Sequence, residues 1–162
     1  MKLYFNKTAQ MPFSKLIAYS SLNPIPAILK LSNDALLPDT IYTRNLAGEN
    51  FVELRFDRHT KKLYDITIVA VQEDTVKVVD NDKIVEEDFY NCFIADDSIM
   101  EISQPITVLR SNSSLCFFWG NQPSQTYSIA ENCIIGTDNE KELCSIFLVN
   151  LSNELIYEIL GF

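Results

Sequence analysis

The sequence is poor in the residues that most enzymes use for catalysis. It has one histidine, His59, and four glycines that stand apart from one another. A lone histidine needs a nucleophile from elsewhere in the fold, and isolated glycines make no phosphate-binding loop. His59 lies in a polar stretch, so we expect an exposed turn residue. Catalysis by a Cys–His59 pair or by paired carboxylates stays an open alternative, because separation in sequence does not identify such groups.

Secretion, membrane and metal-binding features are also missing. No apolar run approaches the roughly 20 residues of a membrane-spanning helix, and no secretory apolar stretch follows the N-terminal lysines. No C-x-x-C pair occurs among the four cysteines, and each has apolar neighbours. We therefore expect reduced, buried thiols, a cytoplasmic location, and neither metal ion nor cofactor. The cysteines are Cys92, Cys116, Cys133 and Cys144.

Acidic residues are plentiful and unevenly distributed. The formal net charge is −9, and residues 73–97 alone contribute −7 from nine acidic residues and two lysines. Such a chain repels phosphate backbones, so we expect no direct binding to nucleic acid. It attracts basic partners instead and speeds their association at low salt. A solubilising acidic face is the alternative explanation of the same residues.

Alternation of apolar and polar residues dominates the chain and predicts β-strands. Val52, Leu54 and Phe56 share one face, and a β-branched run from Leu63 to Val71 follows a short polar turn, which predicts a hairpin. We expect one domain, residues 1–162, of the α+β class. It is a mainly antiparallel β-sheet, in a sandwich or a partly open barrel, with a few short helices. The N-terminus predicts a first strand; further strands are predicted at Thr75–Val79, Ile84–Glu86, Thr107–Arg110, Ser114–Trp119, Tyr127–Ala130, Asn132–Ile135 and Glu142–Val149.

Three segments fit short helices. Residues 23–31 begin with an asparagine cap and an early proline, and residues 13–17 follow Pro12 with apolar residues at helical spacing. The C-terminal segment from Asn153 to Leu160 has a serine cap at Ser152, an apolar stripe and a terminating Gly161.

A weak internal repeat joins the two halves of the chain. Residues 63–69 and 143–149 share the pattern L-x-x-I-x-aliphatic-V, and each follows a charged turn that opens with Asp57 or Asp138. A duplicated unit explains this similarity, and so does chance, since alternating aliphatic residues recur in unrelated strands. Two copies fall short of a repeat array, which slightly favours chance.

Two aromatic clusters are candidates for binding. Phe117 and Trp119 share a strand face beside a turn, where they either fill the core or line a small-molecule pocket; the core is the simpler interpretation. Phe89 and Tyr90 lie within the acidic segment. Protein-interaction surfaces typically combine aromatic side chains, which supply affinity, with carboxylates, which attract a basic partner and speed its association.

In overall character across the whole chain, this sequence resembles the immunity proteins that bacteria use against contact-dependent or polymorphic toxins. The resemblance lies in a small, acidic, strand-rich chain with an acidic-aromatic segment. It implies a cognate basic protein toxin as the partner, often a nuclease, whose lysines and arginines would pair with carboxylates. A small hydrolase and a small-molecule-binding β-domain remain alternatives. The expected partner-binding residues are Asp80, Asp82, Glu86, Glu87, Asp88, Phe89, Tyr90, Asp96 and Asp97.

Overall fold

The computed structural model describes residues 1–19, 27–34, 39–47, 50–80, 88–95, 100–120 and 122–162. A 3₁₀ turn (Glu73–Thr75) precedes the seventh strand, and one α-helix, α1 (Asn153–Leu160), ends the chain. The strands are β1 (Leu3–Thr8), β2 (Lys15–Ala18), β3 (Ala27–Lys30), β4 (Thr40–Ala47), β5 (Asn50–Asp57), β6 (Leu63–Ala70), β7 (Val76–Val78), β8 (Phe89–Ile94), β9 (Met100–Ile102), β10 (Ile106–Arg110), β11 (Leu115–Trp119), β12 (Gln125–Ala130), β13 (Cys133–Thr137) and β14 (Leu143–Leu148).

The strands form two sheets that share one hydrophobic core, as expected for a β-sandwich. One sheet has eight strands in the order β1-β8-β12-β13-β14-β11-β10-β7, and the other has six in the order β2-β3-β6-β5-β4-β9. Most neighbours are antiparallel; β7 and β10, β8 and β12, and β4 and β9 are parallel. The expected mainly antiparallel fold with a C-terminal helix is confirmed. In the described part of the chain, no helix has the length and hydrophobicity to cross a membrane.

Sequence alternation explains which face of each strand is buried. Along β5, every second side chain is buried from Asn50 to Phe56, and those between are partly exposed. Successive side chains point to opposite faces of a strand, so this pattern gives one face to the core. Phe56 and Phe117, from the two different sheets, are among the largest fully buried side chains. Trp119 is also buried, so the core interpretation of Phe117 and Trp119 is confirmed.

The two halves of the chain build the same five-stranded arrangement. The block β4-β5-β6-β3-β2 in one sheet and the block β12-β13-β14-β11-β10 in the other have the same connection order, and all neighbours within each block are antiparallel. The repeated segments at 63–69 and 143–149 lie along the central strands, β6 and β14. Each of these strands has a register shift against its preceding strand, next to Phe56 and Thr137. This correspondence favours duplication over chance.

The two turns that open with aspartate are also built alike. Asp57 Oδ1 accepts hydrogen bonds from the backbone N–H groups of His59 (2.9 Å) and Thr60 (2.6 Å). Asp138 Oδ1 likewise accepts two backbone hydrogen bonds, from the N–H groups of Glu140 (2.8 Å) and Glu142 (2.9 Å), in a turn one residue shorter. Both turns end with a lysine in the left-handed conformation, Lys61 or Lys141, each with φ of 62°. The carbonyls of these lysines accept backbone bonds from β8 and β1, respectively.

We expect Asp57→Ala to destabilise the protein by about 1 kcal/mol, because the turn loses the acceptor for its backbone N–H groups. Those bonds, led by the Thr60 N–H, hold the pKa of Asp57 below its usual value. The ionised form therefore contributes stability above the unfolded-state pKa of about 3.9, and this contribution is lost as the pH falls through the native pKa. Urea denaturation at pH 7 and pH 3 measures both effects.

Asp57→Asn is the matched control, since its amide oxygen still accepts hydrogen bonds but does not titrate in this range. It should keep more of the stability than Asp57→Ala and show less pH dependence than the wild type. Equal losses in Asp57→Ala and Asp57→Asn would contradict the role of the side-chain acceptor.

Two of the three predicted helices are wrong where the structure describes them. Residues 15–18 form β2 rather than a helix after Pro12, and residues 27–30 form β3 rather than the end of a helix from Asn23. Residues 20–26 lie outside the described part. The apolar residues of both segments suit either structure, and pairing of β2 with β3 and of β3 with β6 decides for strands.

The C-terminal helix is confirmed with its caps. Ser152 Oγ accepts a hydrogen bond from the N–H of Leu155 (3.2 Å), and Gly161 ends the helix in the left-handed conformation. Ile156, Ile159 and Leu160 are buried in the core. The predicted hairpin is confirmed, as are strands at the other predicted positions except Ile84–Glu86, which lies outside the described residues.

Candidate functional site

The structure describes four of the nine predicted partner-binding residues: Asp80, Asp88, Phe89 and Tyr90. The others lie outside the described residues; they are Asp82, Glu86, Glu87, Asp96 and Asp97.

The order of the strands in the sheet separates Asp80 from Asp88, Phe89 and Tyr90. Asp80 follows β7, which is one edge strand of the eight-stranded sheet. Asp88 directly precedes β8, which lies next to β1, the edge strand at the opposite end of the same sheet. The two carboxylates are close in sequence, but they mark different ends of the strand order.

An exposed ion pair lies at the beginning of β8. Lys7 Nζ is 2.7 Å from Asp88 Oδ2, and the two side chains are 62% and 51% exposed. The pair forms because β1 runs antiparallel to β8, with Lys7 opposite Tyr90 and Thr8 opposite Phe89. The hydrogen bond to Asp88 raises the pKa of Lys7. Solvent screens both charges, so Asp88 remains accessible to a competing cation.

Three aromatic rings from neighbouring strands meet beside this ion pair. Phe5 of β1 stacks on Tyr127 of β12 with ring centroids 3.8 Å apart, and Tyr90 of β8 meets Tyr127 edge-on at 5.2 Å. All three side chains are partly exposed. We call Phe5, Tyr90 and Tyr127 the aromatic patch. Its rings hold one another in fixed positions, which lowers the entropic cost of binding a partner.

A shallow depression borders Tyr90. It has room for about one water molecule, at about 10 Å³, so it is too small for an organic ligand. Pro12 lies in its wall, and the chain neighbours of Pro12, Met11 and Phe13, are exposed. The surface beside Tyr90 is therefore a mainly apolar depression rather than a ligand pocket. The depression is lined by Pro12, Leu31, Lys62, Leu63, Tyr90, Asn91, Cys92 and Ile129.

Phe89 does not belong to the aromatic patch. Consecutive strand residues point to opposite faces of a sheet, and Tyr90 faces Tyr127. Phe89 lies in register with Ser128 of β12 on the other face. Asp88 and Tyr90 are thus the predicted residues that the structure brings together with the aromatic patch.

Sequence reasoning missed Phe5 and Tyr127. Each lies two residues from a buried core residue, Leu3 and Ile129, and this spacing indicates the inward face of a strand. This spacing can be recognised in the sequence. The pairing of β8 with both β1 and β12, which brings the rings together, cannot be recognised there because it joins distant parts of the chain.

The thiols are poor candidates for nucleophiles. All four cysteines are free and buried, which confirms the expected burial. Burial raises the pKa of the Cys92, Cys116 and Cys133 thiols, and so disfavours the reactive thiolate. His59 is exposed in its turn, as expected.

Comparison with known proteins finds no matching family model and no matching curated protein. The chemistry of the described surface is therefore the basis for assigning a function.

Proposed function

We propose that this protein is a stoichiometric inhibitor, an immunity protein, that acts in the cytoplasm and neutralises a cognate basic toxin by binding it. The aromatic patch with Asp88 at its border carries this proposal. Rigid, partly exposed aromatic side chains are the usual anchors of protein interfaces, and a carboxylate at the rim selects a cationic partner.

The charge of the described surface supports a basic partner. Only four carboxylates in the described residues form ion pairs with lysine or arginine: Asp39, Glu53, Asp65 and Asp88. The described residues carry sixteen carboxylates and twelve lysine or arginine side chains, so they leave a negative field from a net charge of −4, part of the −9 of the whole chain. This field accelerates association with a cationic protein and opposes direct contact with nucleic acid.

A nuclease is the toxin class that this chemistry fits best. Nucleases hold substrate phosphates with lysine and arginine, and the same cations form strong charge-assisted hydrogen bonds with carboxylates. Asp88 supports such a contact because its present partner, Lys7, is exposed and exchangeable. The inhibitor would occupy the basic surface that the substrate needs.

Affinity capture at low salt from lysate of the source cells, with the tagged chain as bait, identifies the partner. We expect a basic protein that forms a one-to-one complex and loses enzymatic activity in it. A captured protein that keeps full activity in the complex would contradict the inhibitor function, as would the absence of any captured partner.

We expect Tyr90→Ala to weaken binding of the captured protein at least tenfold, because truncation removes an anchor ring and the edge contact to Tyr127. Tyr4→Ala is the control: Tyr4 is a more exposed tyrosine, 53% exposed, on the opposite face of β1 from Phe5. It should change affinity less than twofold. Surface plasmon resonance measures both, and equal affinities of the two variants would exclude the aromatic patch as the interface.

A further inference from the structure

Among the described strands, β7 is an edge strand of the eight-stranded sheet. It is the last strand of the eight-stranded sheet and pairs with β10 on one side. Along its other side, no strand within the described ranges pairs with it. An unpaired edge offers backbone donors and acceptors to any extended chain that approaches it.

The backbone geometry shows which N–H and C=O groups of β7 point away from β10. The N–H of Val79 donates to the Arg110 carbonyl of β10 (2.9 Å). Backbone groups alternate in direction along a strand, so those of Lys77 also face β10 and those of Val78 face the open side. The N–H of Val76 is already used by the Glu73 carbonyl. Val78 is thus the residue of β7 whose N–H and C=O both point outward without a strand partner among the described residues.

The side chain of Val78 is exposed as well. At 77%, it is the most exposed large hydrophobic residue in the described part of the chain. The outward backbone groups and the exposed side chain of Val78 therefore lie at the same edge of the described sheet. Strand addition recognises this combination, because backbone bonds supply affinity and alternate side chains supply specificity.

The charges on either side of β7 define the partner. Glu73 and Asp74 precede the strand and Asp80 follows it; all three are exposed, and none takes part in an ion pair within the described residues. Lys77 is the one cation on the strand. A second copy of this chain would bring the same carboxylates together, whereas a segment with lysine or arginine would neutralise them.

We propose that β7 accepts an extended, lysine- or arginine-bearing segment of a partner protein as an added strand. This surface goes beyond the inhibitor function: it lies at the opposite end of the strand order from the aromatic patch, and it does not require a toxin. Failure of either proposal leaves the other standing.

The test is a titration of the ¹⁵N-labelled protein with a short, end-blocked peptide of alternating valine and lysine, followed by NMR. We expect the largest amide shifts at Val78 and its neighbours, and slower hydrogen exchange at Val78. A peptide of alternating valine and glutamate should not bind. Shifts centred on another strand edge or on the aromatic patch would overturn the proposal, as would equal binding of the two peptides.

Val78→Pro is the decisive variant, because it removes the outward N–H without removing a bond to β10. We expect at least a tenfold loss of peptide affinity. If this variant does not fold, the double variant Glu73→Lys with Asp74→Lys provides the readout, since both side chains are exposed, and it should lose affinity to a similar extent. Undiminished binding by a folded variant refutes the proposal. Self-association of the wild type that Val78→Pro abolishes would assign the edge to a second copy instead.

Discussion

Replacing Arg55 with methionine is expected to destabilise the protein by about 3 kcal/mol, because the change leaves the carboxylate of Asp65 buried without its cation. Asp65 is fully buried although it lies on the outer face of the six-stranded sheet, and the Arg55 side chain covers it. Arg55 Nε is 2.8 Å from Asp65 Oδ1, and Nη2 forms a second bond to Oδ2. The two residues are directly opposite each other on β5 and β6. Urea denaturation measures the loss.

The double variant Arg55→Met with Asp65→Leu separates charge from packing. Replacing both partners of a buried ion pair with apolar residues is often neutral, so we expect stability close to that of the wild type. A cost below about 1 kcal/mol for Arg55→Met alone would show that the carboxylate is hydrated without the arginine, contrary to its full burial.

The pH dependence of this pair has a defined sign. Burial raises the pKa of Asp65 above its usual value, and Arg55 opposes that rise. A group with a raised native pKa contributes stability below its unfolded pKa, about 3.9, and loses it as the pH rises through the native pKa. In Arg55→Met the opposing cation is gone. The loss of stability caused by Arg55→Met should therefore be largest at neutral pH. It should become smaller as the pH falls toward the unfolded-state pKa of about 3.9.

Gly136→Ala is expected to cost about 2–3 kcal/mol, because there is no space for a side chain at this position. A β-carbon on Gly136 would lie 2.1 Å from Ser145 Oγ and 2.7 Å from the β-carbon of Pro123. Ser145 is fully buried, and Pro123 meets the same point with its ring. Thermal unfolding of Gly136→Ala and of the wild type measures the difference.

Adding Ser145→Ala to Gly136→Ala should recover part of the lost stability, since it removes the nearer of the two contacts. The remaining contact with Pro123 prevents full recovery. Ser145→Ala alone is the control for the loss of the hydroxyl. If the double variant is no more stable than Gly136→Ala, the contact with Ser145 is not the cause of the destabilisation by Gly136→Ala.

These two predictions concern equivalent places in the two halves. Arg55 and Asp65 face each other next to the register shift of β5 and β6, and Gly136 and Ser145 do so next to the shift of β13 and β14. One half fills the position with an ion pair, and the other closes it with two small residues and Pro123. The backbone arrangement is kept while the side-chain chemistry differs.

Local signals in the sequence were sufficient for the elements whose structure is set locally. The hairpin of β5 and β6 follows from alternation on both sides of a polar turn, and α1 follows from Ser152, an apolar stripe and Gly161. Strands β2 and β3 were predicted as helices, because their apolar residues suit both structures and their partners are distant. Pairing of β3 with β6 joins residues nearly forty positions apart, which no local pattern reveals.

The same contrast between local patterns and long-range pairing applies to the candidate site. Charge and aromatic content within one segment drew attention to Asp88 and Tyr90, and both border or form the aromatic patch. The same reasoning grouped them with Asp80 and Phe89. Sheet order separates Asp80, and strand alternation turns Phe89 to the other face. Neither effect is visible until the neighbours of β7 and β8 are known.

Protection of growth is the most direct test of the proposed inhibitor function. Cells that express the captured basic protein should stop growing, and co-expression of the wild-type chain or of Tyr4→Ala should restore growth. The double variant Tyr90→Ala with Asp88→Lys should not restore it, although it should remain folded because both sites are solvent-accessible. Equal protection by all variants, or no protection by the wild type despite a stable complex, would contradict inhibition through the aromatic patch.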